Sequence, residues 1–115
     1  MAIDDTNKID ILFKDREGHA VLVIADHLDW EEFDEGEHLL LLQEKLNTYL
    51  AFVDGGQIVK VRPDLKGLPV VIQVDAMQAP SEKALQFYRV AGKAVADAGV
   101  SLVLHLPSLG TTTRF

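Results

Sequence analysis

Residues 20–56, AVLVIADHLDWEEFDEGEHLLLLQEKLNTYLAFVDGG, decide the fold that we predict for this chain. They begin with residues 20–25, a continuous run rich in Val and Ile that is typical of a strand in the centre of a sheet. They end with Gly55, the residue type expected just past the C-terminus of a helix. The apolar residues that recur at helical spacing before it are Leu39, Leu42, Leu46, Tyr49, Leu50 and Val53. The stretch therefore predicts a strand, an acidic connection and a long helix.

The flanking sequence predicts the other elements. Residues 8–14, KIDILFK, alternate apolar and polar side chains, which indicates a half-buried strand that forms a hairpin with residues 20–25. Residues 57–63 and 69–76 predict two more strands, joined by the turn DLKGL. A second helix begins after Ser81, a candidate N-cap, and ends before Gly99, and residues 100–106, VSLVLHL, form the last predicted strand.

The predicted order ββαββαβ indicates an α+β two-layer sandwich. We expect a mainly antiparallel five-stranded sheet with both helices on one face, which is a ferredoxin-like core preceded by one extra strand. The chain of 115 residues fits a single domain. Residues 1–7 and 108–115 carry no clear pattern, so we expect flexible ends. Because folds of this kind host many unrelated functions, function has to be argued from a site.

Composition excludes several classes of function. The chain has 48% hydrophobic residues and no cysteine, so it can form a genuine core but no disulfide, thiolate nucleophile or sulfur-ligated metal site. Its net charge of −7 comes without a basic stripe, which argues against nucleic acid and against anionic membrane surfaces as partners. We find no secretory signal and no membrane-spanning run, and therefore expect a soluble, cytoplasmic protein.

The net charge is concentrated in one segment, residues 26–37, DHLDWEEFDEGE. This segment has seven carboxylates and no Lys or Arg, and the rest of the chain has as many acidic as basic residues. It does not fit a calcium loop, since placing Gly36 at the sixth position puts Phe33 and Leu42 at ligand positions. The sequence therefore localises the charge imbalance without identifying an ion.

Other catalytic and metal motifs are also missing from the sequence. The four nearest possible ligands, which lack any recognised metal-binding spacing, are His27, Asp29, Glu31 and His38, so we expect the two histidines to be solvated beside a loop. No serine lies in a nucleophile elbow, and Gly55-Gly56 lacks the lysine of a phosphate-binding loop. We predict no catalytic residue, no metal and no cofactor.

Two interpretations of the acidic segment stay open. In the structural one, Trp30 and Phe33 fold back over the first turn of the long helix and cover Leu40 and Leu41. The carboxylates then face water and complement the helix dipole. In the functional one, these rings join Leu41 and Phe52, which lie off the main apolar face of the helix, in an exposed patch rimmed by charge. The candidate partner-binding residues are Asp29, Trp30, Glu31, Glu32, Phe33, Asp34, Leu41 and Phe52.

Two motifs carry a resemblance to a known family. The motif DHLDW at residues 26–30, followed by EHLLLLQEKLNTYLAFVDGGQI at residues 37–58, resembles a family of small bacterial proteins of unknown function. The resemblance covers roughly residue 8 to the last predicted strand. It implies that these two motifs are the distinguishing parts of the family, and it implies no activity, cofactor or partner.

The leading functional hypothesis is a non-enzymatic protein–protein interaction module that uses the acidic, aromatic-bearing segment. A basic partner protein is favoured because acidic surfaces attract basic ones, and the module itself is either a monomer or a homodimer. The alternative is an enzyme, or a binder of a small ligand or metal, whose pocket is assembled from residues that are distant in sequence.

Overall fold

The sheet contains five strands in the order β1-β2-β3-β4-β5 in the computed structural model, which describes residues 8–115. The elements are β1 (Ile11–Lys14), β2 (Ala20–Asp26), α1 (Glu35–Asp54), α2 (Gln57–Val61), a short 3-10 helix (Pro63–Leu65), β3 (Val70–Ala76), α3 (Glu82–Asp97), β4 (Val100–Leu106) and β5 (Thr111–Arg114). The α+β class and the five-stranded sheet are confirmed.

The sheet is mixed, with a parallel centre and antiparallel edges. Strands β2, β3 and β4 pair in parallel, whereas β1 and β5 pair antiparallel with their neighbours. Parallel neighbours need a long crossover, and here α1 and α3 supply the two crossovers. The prediction of a mainly antiparallel sheet with a ferredoxin-like core is therefore wrong, because β2, β3 and β4 are joined through helices and only the edge strands are joined to their neighbours by turns.

Both long helices pack on the same face of the sheet. Ala20, Leu22 and Ile24 of β2 belong to one buried cluster with residues of α1 and α3. The helix residues of that cluster are Leu42, Leu46, Tyr49, Ala84, Tyr88 and Val95. Side chains on the opposite face form a second, smaller cluster of Val21, Val23, Val71 and Val103. The valine-rich run of β2 is thus buried on both faces, as its continuous apolar sequence predicts.

The predicted strand at residues 57–63 is wrong, because this stretch forms α2 and the start of the 3-10 helix. Gly56 has a φ of 74°, which redirects the chain after α1 and starts a new helix with Ile58 buried and Val61 63% exposed. The five residues of α2, QIVKV, fit the two-residue repeat of a strand as well as the 3.6-residue repeat of a helix. The sequence pattern alone therefore could not distinguish the two. No gap in the sheet is left for a strand here, since β2 and β3 pair directly.

The predicted flexible end at residues 108–115 is also wrong for its second half. Strand β5, TTTR, pairs with β4, and its β-branched residues suit an exposed edge strand although they show no apolar alternation. The amide of Phe115 then donates to the carbonyl of Leu102 at 2.9 Å, and its ring stacks on Tyr88 with centroids 5.2 Å apart. The corresponding prediction for residues 1–7 lies outside the described residues.

Gly92 of α3 makes this docking possible, and its substitution tests the position of Phe115. A Cβ added at residue 92 would lie 2.7 Å from the Cβ of Phe115, so Gly92→Ala must displace the chain end or the helix. We expect the variant to lose about 1–3 kcal/mol of unfolding free energy in urea titrations, as for overpacked cores. Gly36→Ala is the control, since its Cβ meets only the Asp34 carboxylate at 3.4 Å and should leave stability unchanged or raised. Equal stability of the two variants would contradict the packing of Phe115.

Candidate functional site

The acidic segment lies at the C-terminal edge of the parallel strands. Asp26 is the last residue of β2, and its carbonyl accepts from the amide of Met77 just after β3. Both long helices begin at the same edge, where the Ser81 hydroxyl donates to the Glu35 carboxylate at 2.6 Å. Loops at this edge are where open sheets with parallel strands usually carry their sites. The segment that holds the net charge is therefore placed where function is most often found.

A buried carboxylate–imidazole pair joins the end of β2 to the first turn of α1. The Nε2 atom of His38 lies 2.7 and 2.8 Å from the two carboxylate oxygens of Asp26, and both side chains are at most 1% exposed. The amide of Leu28 also donates to this carboxylate. Burial raises the pKa of the Asp26 carboxyl, and the bonds and charge from His38 oppose that rise. The pair therefore acts as an internal connection and has no access to a substrate.

Trp30 covers this pair. Its ring is 6% exposed and stacks on the imidazole of His38 with centroids 3.5 Å apart and planes at 15°. Phe33, half-buried, meets the same imidazole edge-on at 6.1 Å. Both rings thus pack on the first turn of α1, as the structural interpretation of the segment has it. The part of that interpretation in which they cover Leu40 is wrong, because Leu40 is 52% exposed. His38 was expected to be solvated, and that prediction is wrong because the tryptophan excludes water from it.

The acidic side chains around these rings face outward. Glu31, Glu32 and Asp34 are exposed, and Asp29 is half-buried. The Asp29 carboxylate accepts from the amides of Glu31 and Glu32, and Asp34 caps α1 by accepting from the amide of Glu37. The side-chain carboxylates of Glu31 and Glu32 have no ion-pair partner within residues 8–115. The segment is thus a well-braced turn with free negative charges on its outer side.

Leu41 and Phe52, the two candidates on the helix, do not join this group as one patch. Both are half-buried and pack against the main core from α1. Phe52 lies about 16 Å further along the helix axis than Leu41, given a rise of about 1.5 Å per residue. It borders a separate depression near Ile9 and Gln57. The structure therefore brings together residues 29–34 and leaves Phe52 elsewhere.

An open cavity of about 390 Å³ adjoins the acidic segment. Its walls are Asp29, Trp30, Glu31, Gln78, Ala79, Pro80 and Ser81. The hydroxyl of Ser81 is engaged with Glu35 and also accepts from the amide of Ala84 as the N-cap of α3, which confirms the predicted cap. This donor and acceptor set suits recognition of a polar or positively charged group, and the Ser81 hydroxyl serves both α1 and α3 in holding the helix ends.

Two further polar groups were not found from sequence. Lys45 is fully buried, and its ammonium lies 3.0 Å from the carboxylate of Asp10. The hydroxyl of Tyr49 donates to the carbonyl of Val23 at 2.6 Å and accepts from the amide of Asp10, and burial raises its pKa to about 12. Lys45 and Tyr49 are one turn apart on α1, so their spacing places them on the same side of the helix. Sequence alone gives no indication that the lysine on this side is buried. They anchor the chain before β1 to the helix.

Possible metal ligands come together at the β1–β2 turn, at the opposite end of β2 from His27. Ligand atoms of Asp15, Glu17 and His19 lie within 4.8 Å of one another. The Asp15 carboxylate accepts from the amides of Glu17 and His19 and contacts the His19 imidazole at 2.9 Å. These bonds lower the pKa of the Asp15 carboxyl and account for the cluster as a turn-forming arrangement.

The fold and this edge define a small α+β domain with a braced acidic turn. The chain belongs to DUF6572, a family of unknown function whose model matches residues 1–108. Comparison with curated proteins and with solved structures gives no match. Within residues 8–115, none of the helices has the length and apolar character required to span a membrane.

The pKa of Asp26 leads to a test of the buried pair. Since the folded state raises this pKa above the ordinary 3.8, it favours the neutral acid, and the resulting stabilisation is lost as pH rises through the raised value. Asp26→Asn removes this titration while keeping an acceptor for His38. We expect the unfolding free energy of the variant, relative to wild type, to increase as pH is raised from about 4 to about 8 in urea titrations.

Asp97→Asn is the control for this measurement, because it removes one carboxylate from an exposed position at the end of α3. Its stability relative to wild type should change less with pH than that of Asp26→Asn. A pH-independent difference between Asp26→Asn and wild type would show that ionisation of the buried carboxyl does not oppose folding.

Proposed function

We propose that this chain is a non-enzymatic interaction module of the bacterial cytoplasm that binds a basic protein through its acidic edge. The acidic edge consists of residues 29–34 together with Glu37. The observation that carries the proposal is the exposure of Glu31, Glu32 and Glu37, whose side chains form no ion pair or hydrogen bond within residues 8–115. Free carboxylates concentrated on one turn attract a positively charged surface.

The rigidity of the turn favours binding. The Asp26–His38 pair, the stacked Trp30 and the amide bonds to Asp29 and Asp34 hold the acidic edge before any partner arrives. Association then orders fewer side chains and loop residues than it would on a mobile loop, so less conformational entropy is lost. The buried Trp30 supports the turn from below, and the exposed carboxylates of Glu31 and Glu32 lie on its outer side.

The same geometry argues against catalysis by the most conspicuous residues. An aspartate–histidine pair is a common acid–base unit, but here neither side chain reaches solvent, and the hydroxyl of Ser81 bonds to Glu35 instead of to a histidine. A general base must come within hydrogen-bond reach of the proton that it abstracts. The Asp26–His38 pair is therefore better suited to stabilising the acidic turn than to catalysis.

Charge neutralisation tests the proposal. We expect the triple variant Glu31→Gln, Glu32→Gln, Glu37→Gln to lose the specific partner in affinity purification of the tagged full chain from its host. Capture by the wild type should also weaken as salt rises from about 50 to about 300 mM, because screening shortens the reach of exposed charges. The folded state of the variant is checked by circular dichroism, and stability should change little at these exposed positions.

The matched control removes three carboxylates from the opposite edge of the domain, with the substitutions Glu17→Gln, Asp54→Asn and Asp97→Asn. These residues lie in the β1–β2 turn and at the C-terminal ends of α1 and α3, and all three are exposed. A partner that survives in the control and is lost in the edge variant supports the proposal. Partners retained equally by both variants would refute it.

A second candidate function is binding of a small cationic ligand in the cavity between residues 29–31 and 78–81. Its volume of about 390 Å³ and its carboxylate and amide lining favour this alternative. Thermal-shift screening with amines, amino acids and divalent cations tests it, since a ligand at about 100 times its Kd adds roughly 2.7 kcal/mol of stability. A shift that Glu31→Gln abolishes would favour the ligand over a protein partner.

A further inference from the structure

A second surface, separate from the acidic edge, lies on the outer side of the two long helices. Helices α1 and α3 leave an apolar groove of about 330 Å³ between them. Most of its wall consists of Leu46, Leu50, Phe87, Val90, Ala91 and Val95. Two large apolar side chains remain exposed on this side, Val90 at 70% and Leu40 at 52%. Leu40 lies three residues before Gln43, a lining residue, and so projects toward the same side.

The two helices that border the groove differ in charge, since the middle of α3 is basic and α1 exposes carboxylates. The exposed charged residues of α1 are all carboxylates, because Lys45 is buried beside Asp10. Glu37 belongs to the acidic edge, and Glu44 and Asp54 lie further along the helix. The exposed basic residues of α3 are Lys83, Arg89 and Lys93, with Glu82 and Asp97 near its two ends. Within residues 8–115, Glu44, Arg89 and Lys93 form no ion pair.

We propose that a second copy of this chain docks on this helical face. A two-fold axis that runs along the helices places the acidic α1 of each copy over the basic α3 of the other, so the same complementary contact forms twice. Val90 becomes buried near the middle of the contact, and Leu40 becomes buried nearer to the N-terminal ends of the helices. A wholly basic partner fits this face poorly, because it would meet Lys83, Arg89 and Lys93.

The heights of the charged residues along the helices agree with this arrangement. The N-terminal ends of α1 and α3 are level, since the hydroxyl of Ser81 bonds to the Glu35 carboxylate at 2.6 Å. With a rise of about 1.5 Å per residue, Glu44 lies about 13 Å below Glu35. Arg89 and Lys93 lie about 12 and about 18 Å below Ser81. A two-fold axis parallel to the helices leaves the position of each residue along the helix direction unchanged. Glu44 of one copy therefore lies opposite Arg89 and Lys93 of the other.

The size of the face predicts a weak dimer. Helix α3 has 16 residues and so is about 24 Å long, and two adjacent helices are together about 20 Å wide. The footprint is therefore roughly 500 Å² per copy, which is near the lower limit for a specific interface. We expect a dissociation constant in the micromolar range and a dimer that is populated only at high concentration. This inference does not depend on the proposed partner of the acidic edge.

Sedimentation velocity over about 5 to about 500 µM protein tests the proposal, with Val90→Glu as the main variant. The wild type should shift from monomer toward dimer across this range, and Val90→Glu should stay monomeric. Val61→Glu is the matched control, since Val61 on α2 is also an exposed valine, at 63%. It should dimerise like the wild type, and both substitutions lie at exposed positions where folding is preserved.

A charge swap tests the orientation of the two copies. Glu44→Lys or Lys93→Glu alone should weaken dimerisation by about tenfold or more, and raised salt should weaken the wild-type dimer. The double variant should recover dimerisation, because each copy again presents opposite charges to the other. A wild type that stays monomeric at every concentration, a dimer that Val90→Glu leaves unchanged, or a double variant weaker than both single ones would overturn the proposal.

Discussion

The bond between Asp26 and His38 is the interaction on which the acidic edge depends. It connects the last residue of β2 to the first turn of α1, so it determines how the crossover helix leaves the sheet. Because both groups are buried, loss of either one strands a polar group away from water, which costs several kcal/mol. Trp30 stacks on the imidazole and excludes water from the pair. The acidic segment is therefore held in place beside the buried core.

Most of the secondary structure could be predicted from the sequence, whereas the topology could not. Long periodic stretches such as α1 and α3 carry their own signal, and the caps at Ser81 and Gly55 mark their ends. Parallel pairing of β2, β3 and β4 depends on contacts between residues far apart in the chain, which local patterns do not record. The short stretches QIVKV and TTTR were misassigned because other parts of the chain determine their structure. The turn at Gly56 starts the helix QIVKV, and the free edge of β4 pairs with TTTR.

The position of the candidate site along the chain could be predicted from the charge distribution, but the contacts between its side chains could not. The concentration of carboxylates in residues 26–37 is visible in the sequence, since net charge is a property of sequence, and the structure places these residues at the C-terminal edge of the parallel strands. The contacts within the segment could not be predicted, because a histidine among acidic residues usually lies in solvent. His38 becomes a buried partner of Asp26 only because Trp30 packs on it. Leu41 and Phe52 were grouped by helical direction alone, which ignores the distance along the axis that separates them.

The two proposed surfaces are compatible, and their geometry connects them. The acidic edge lies at the N-terminal ends of the helices, and the apolar groove runs along their outer sides, so occupation of one leaves the other free. A two-fold axis along the helices keeps their direction and therefore presents both acidic edges at the same end of the dimer. Two adjacent edges could engage one extended basic partner at once, and the second contact would then form at a high effective concentration. Weak association of the domain with itself would in this way strengthen binding of a partner that neither copy holds tightly alone.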